Sequence, residues 1–110
     1  MNGIYAVYYT GVSGMGNGVI VLLDGVVSGA DVAGGIYDGT FSSIENGKIS
    51  IEVNFTVPAG ATLVTGQTLP NALTQQISAH LEQTFANGNP VRLETQMGPV
   101  NAIFKKLRSL

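Results

Sequence analysis

Residues 48–57 alternate without a break. Ile49, Ile51, Val53, Phe55 and Val57 fall on one side, and Lys48, Ser50, Glu52, Asn54 and Thr56 fall on the other. This period of two is that of a half-buried antiparallel strand. The polar side faces water, so Ile49, Ile51, Val53 and Phe55 are expected to point inward. Val91, Leu93, Thr95 and Met97 alternate with Arg92, Glu94 and Gln96 in the same way. Residues 3–10 alternate less clearly, because both Ile4, Ala6, Tyr8 and Tyr5, Val7, Tyr9 are apolar or aromatic. There we expect Ile4, Ala6 and Tyr8 to face in. Val19 to Leu23 is apolar throughout, which predicts a strand covered on both faces, the outer one by a second copy of the chain.

The pattern predicts strands over 3–10, 17–24, 26–30, 35–43, 48–57, 75–82, 91–97 and 100–107. Eight strands with short links predict one all-β domain spanning residues 1–110, an antiparallel up-and-down barrel. A barrel of that size encloses space for side chains or for one small ligand. Asp24-Gly25, Asn46-Gly47 and Asn87-Gly88 are residue pairs that tolerate the positive φ angles of tight hairpins. Gly98-Pro99 offers a fourth turn. Leu69, Leu73, Ile77, Leu81 and Phe85 recur at helical spacing, yet Ile77, Ala79 and Leu81 also alternate with Ser78, His80 and Glu82. At most one short helical turn is expected, near 69–73, inside the longest irregular connection, 58–74.

The run VVSGADVAGGIYDGTF (26–41) raises the question of a phosphate cradle. Gly29 and Gly34 have the spacing of a Walker loop, but Gly35-Ile36 stand where Lys and Ser/Thr are required. Gly11, Gly14 and Gly16 have the reversed order of a dinucleotide fingerprint, and no amphipathic helix follows either stretch. The glycines are better read as sheet geometry: Gly34-Gly35 as a reversal, Gly39 as a bulge or close backbone approach.

Composition narrows the function. Charged residues are 11% of the chain, against about 25% in an average domain. Either the sheets are simply apolar or a partner covers part of the surface. The net charge of −2 sets up no field that attracts nucleic acid. Lys105, Lys106 and Arg108 read as a solvated strand end. With no cysteine there is no disulfide framework. No signal segment or apolar run of membrane-spanning length is present, so a cytoplasmic, soluble protein is expected.

Catalytic candidates are few. His80 is the one histidine, and no metal-ligand spacing accompanies it. Asp31 suits a turn, Asp24 a hairpin tip, and Asp38 a solvent face or a place beside a bulge. No catalytic residue, metal or cofactor is expected. Tyr5, Tyr8, Tyr9 and Tyr37 offer apolar area with a polar handle, which fits ordinary packing, a ligand pocket or an interface.

Several stretches resemble a known family. Asn2-Gly3-Ile4-Tyr5, the run Gly16 to Gly25, Ser28 to Ala33, and Ile36-Tyr37-Asp38-Gly39 are similar to the GrlR-like negative regulators of type III secretion. The likeness is good over 2–41, looser to Val57 and architectural beyond. It implies a lipocalin-like barrel, often dimeric, that represses by holding a transcriptional activator rather than by touching DNA. The family's type member carries a surface loop of four alternating Glu and Asp residues tied to activator binding. The matching place here is Ser42 to Gly47, where Glu45 is the one acid. Glu45 and Asn46 are the candidate partner-contact loop. Tyr8, Ile49, Ile51, Val53 and Phe55 are the candidate interior. The function expected is a non-enzymatic binding barrel acting through protein contacts. The alternative is an intracellular carrier or sensor of a small lipophilic ligand.

Overall fold

The computed structural model describes residues 2–110. It contains eight strands: β1 (Gly3–Gly11), β2 (Gly14–Leu23), β3 (Val26–Asp31), β4 (Ile36–Ile44), β5 (Lys48–Val57), β6 (Leu73–Glu82), β7 (Val91–Thr95) and β8 (Gly98–Ser109). They form one antiparallel sheet in the order β6-β5-β4-β3-β2-β1-β8-β7. β1 to β6 meander, β7 and β8 form a hairpin, and β8 returns to pair with β1. The result is a nearly closed eight-stranded barrel whose seam lies between β6 and β7. Pro90, which has no N–H to give to a ladder, stands immediately before the short β7. Among the described residues no helix is long and apolar enough to cross a membrane.

The turns explain the strand ends. Asp24 and Gly25 have φ of 50° and 83°, the left-handed pair of a two-residue hairpin. The Asn46-Gly47 turn is one residue longer than a tight hairpin: Glu45–Gly47 form a 3-10 turn between the paired residues Ile44 and Lys48. Among the described residues this is the one helical turn; residues 69–73 contain none. Two expectations are corrected. Asn87-Gly88 closes no hairpin, because it lies in the link 83–90 between strands that do not pair. The β7–β8 turn is Gln96-Met97, since Thr95 pairs with Gly98. Gly98 opens β8 at φ 130°.

The barrel is filled at one end. Tyr5, Leu22, Val27, Ile49, Leu81, Phe85 and Phe104 are all buried there. The Phe85 ring lies 5.3 Å from Tyr5 and 5.2 Å from Phe104, the latter edge-on. Each such side chain contributes about 1.5–3 kcal/mol by leaving water. These residues sit where β2, β4 and β6 end and where β1 begins. The other end, where β1, β3, β5 and β7 finish, holds the candidate site.

The parity of β1 is the reverse of that expected. Tyr5 and Val7 are buried, with Tyr9 on the same side, whereas Tyr8 is 51% exposed on the outside. Tyr8 therefore belongs to no pocket. The sheet register decides this. Tyr9 pairs with Gly16 and Val7 with Gly18, so beside Val7 and Tyr9 the inward positions of β2 carry no side chain. A Cβ on Gly16 would stand 2.5 Å from the Tyr9 ring. Only a glycine lets that tyrosine lie against β2. The outer side of β2 is bare within this chain: Val19 and Leu23 are exposed.

Candidate binding site: an apolar chamber under a polar rim

The open half of the barrel encloses a chamber of about 190 Å³. Ile51, Val53 and Phe55 of β5 and Ile77 and Ala79 of β6 form much of one wall. Alternation puts these residues inside, because the intervening Glu52, Asn54, Gln76 and Ser78 are exposed. Ile51, Val53 and Phe55 thus line the chamber, while Ile49 lies below it in the packed end. Glu45 and Asn46 are exposed at the packed end, away from the chamber.

A roof is supplied by the connection 58–72. Its Leu63, Val64 and Thr65 line the chamber. Pro58, Gly60, Gly66 and Pro70 prevent a regular element here, so tethers do the work. The Ser13 amide donates to the Val64 carbonyl at 2.7 Å, and the Gln67 side-chain amide donates to the Met97 carbonyl at 3.3 Å. The loop also closes on itself: Gly60 donates to the Leu69 carbonyl at 2.7 Å and Leu69 to that of Ala61 at 2.9 Å. Leu69 is buried and anchors it.

A polar rim completes the site. Asp31 Oδ1 accepts from the amides of Ala33 at 3.1 Å and Gly35 at 2.8 Å, fixing the β3–β4 turn. Asp31 Oδ2 accepts from the hydroxyls of Tyr9 and Tyr37, each at 2.9 Å. The Tyr37 ring stacks on Phe55 at 4.6 Å, and Gly29, opposite Tyr37 across the ladder, leaves its inner side clear. The turn role of Asp31 follows the expectation from sequence. The two phenols it gathers do not appear in any local pattern, because they come from β1 and β4.

Burial pushes both hydroxyls well above tyrosine's usual 10.0, and the Asp31 carboxylate adds to the effect. The folded chain keeps these protons to higher pH than the unfolded chain does. Their contribution is complete below pH 10 and is lost as pH rises from there towards the folded values. The urea midpoint is therefore expected to decline from about pH 10 upwards, and Tyr37→Phe is expected to flatten that decline. Equal slopes in the two proteins contradict this linkage.

Gln75, which no motif or spacing marks in the sequence, also lines the chamber. It lies on the inward side of β6 in the series Leu73, Gln75, Ile77, Ala79, Leu81. It is 4% exposed, and its Oε1 has no hydrogen-bond partner. The legible signal is a single polar residue on the inward side of an otherwise apolar strand.

His80 is exposed on β6 and Asp38 on β4, while Asp31 lines the chamber. These three do not meet. No group of three metal-ligating side chains occurs among the described residues. The glycine-rich run 26–41 makes β3, a turn and the start of β4; it opens no helix. No family model matches the chain, and no curated protein does.

Proposed function

We propose that this chain is a non-enzymatic regulatory barrel that acts through protein contacts on the outer face of β1, β2 and β3. The observation that carries this reading is the bare apolar surface there. Tyr8, Val19, Leu23 and Val26 are 51%, 44%, 43% and 52% exposed. The ladder sets Ile4 beside Val21, Ala6 beside Val19, and Val19 beside Ala30. Within β1, β2 and β3 these rows carry no charge; Lys105 and Arg108 of β8 and Asp38 of β4 border them. Large uncharged patches of this kind are characteristic of contact surfaces. The first partner is a second copy of the chain, whose own apolar face supplies a matching surface in a two-fold dimer. The resemblance to GrlR-like negative regulators supports the same reading and suggests a transcriptional activator as the further partner. The site of that contact differs from the family's, because its acidic cluster is reduced to Glu45.

Light scattering tests this. The protein is expected to be a dimer, and Val19→Glu with Leu23→Glu is expected to make it monomeric while the far-ultraviolet circular dichroism stays β. A strictly monomeric wild type that also retains no partner in a pull-down from the native host overturns the reading.

The chamber favours a second reading, a carrier or sensor of a small lipophilic molecule. A dry apolar cavity of about 150 Å³ accepts a guest of benzene's size, and this one is larger. The two readings are compatible: a ligand inside and a protein outside share the same strands.

A further inference from the structure

We infer that the chamber selects an uncharged lipophile carrying one hydrogen-bond donor, with Gln75 receiving the donor and Asp31 turning anions away. This deepens the second reading above and rests on it. Gln75 is the starting point. Its amide is buried in the chamber wall with Oε1 unpaired. Native interiors rarely leave such a group unmet, because the lost water is not replaced. Water is a poor substitute here. A buried water needs about three polar partners, and the neighbours of Gln75 on the inward side are Leu73 and Ile77, with Phe55 directly opposite. A guest held by apolar contact elsewhere needs just one polar atom to complete Gln75. The open atom is the carbonyl oxygen, so a guest that completes it does so as a donor.

Charge supplies the second half of the selectivity. Among the described residues lining the chamber, Asp31 is the one charged group. No lysine or arginine is there to meet a carboxylate or phosphate, and the rim carries a negative charge. A fatty-acid anion would be desolvated without compensation. An alcohol enters without that cost. The volume of about 190 Å³ suits a chain of octanol's bulk.

Calorimetry on the whole chain tests this with three guests of equal length: octan-1-ol, methyl heptyl ether and octanoate at about pH 8, where octanoate is ionised. Octanol is expected to bind about tenfold or more tightly than either of the others. In Gln75→Leu, octanol and the ether are expected to converge, because the acceptor is gone while the bulk is retained. Gln75→Met, unbranched like glutamine, is the second variant should leucine distort the barrel. Ether binding as tight as octanol in the wild type, or an undiminished gap in both variants, overturns the role of Gln75 and leaves the chamber reading standing. Octanoate binding as tightly as octanol overturns the exclusion of anions. Binding of none of the three removes the chamber reading, and this inference with it.

Discussion

Gly39→Ala is expected to destabilise the barrel by about 3 kcal/mol or more, a large part of what holds a domain of this size folded. Gly39 lies on the inward side of β4, between Tyr37 and Phe41, with Val27 and Val53 on either side in the ladder. A Cβ there would collide with the Glu52 carbonyl oxygen and stand 2.7 Å from the Val53 Cα. Both obstacles are backbone. They can yield only if the β4–β5 ladder opens. Two effects compete. Alanine has less conformational freedom to lose than glycine, which favours the substitution by roughly 0.5–1 kcal/mol. The steric penalty is several times larger and decides the sign. Gly14→Ala is the control, because a Cβ there meets nothing within 4 Å; it is expected to change stability by less than about 0.5 kcal/mol. Urea unfolding of the two variants measures the contrast. Equal midpoints would mean that Gly39 is not a point of close strand approach.

The same residue shows how the sequence could be read. An isolated glycine inside a good strand signals either a bulge or a close approach. The register of β4 against β5 is continuous, so here it is close approach. β5 itself was fully legible because one of its sides is polar at every position. β1 was not, because apolar residues occupy both its sides, and parity there is set by the glycines of the next strand, which no pattern within β1 itself reveals. The spacing of Leu69, Leu73, Ile77, Leu81 and Phe85 resolves simply. Residues four apart share a side of a strand as well as of a helix. Leu73, Ile77 and Leu81 lie along the inward side of β6, while Leu69 anchors the roof and Phe85 packs into the closed end. The chamber was the least legible feature. Its existence depends on how far a roof without regular structure sits from a packed floor, and no local pattern encodes that distance. Gln75 alone left a trace, as a polar break in an apolar series.

Asp31→Ala carries the second large expected effect, a loss of about 2–4 kcal/mol. The carboxylate holds two amides of the β3–β4 turn and two tyrosine hydroxyls from β1 and β4. Alanine leaves all four donors without their acceptor. Water can reach some of them, since Asp31 is only half-buried, which holds the cost below four full hydrogen bonds. Gly35 is buried and Tyr37 partly so, and the donors of these two account for the largest share. Asp31→Asn separates shape from charge. Its side-chain oxygen still serves the turn amides, and its NH2 can donate to a tyrosine oxygen, so a loss of only about 1 kcal/mol is expected. Stability alone does not distinguish a carboxylate acting on the tyrosines from a turn that simply falls apart. Tyrosinate absorbance does. Both variants remove the negative charge that helps keep Tyr9 and Tyr37 protonated, so in the folded state both are expected to ionise their tyrosines at lower pH than the wild type, with Asp31→Asn doing so while the turn stays intact. An unchanged titration in Asp31→Asn would reduce the rim to a turn with two tyrosines nearby. A shifted one would establish a charged collar at the mouth of an apolar chamber, the arrangement on which discrimination between neutral and anionic guests depends.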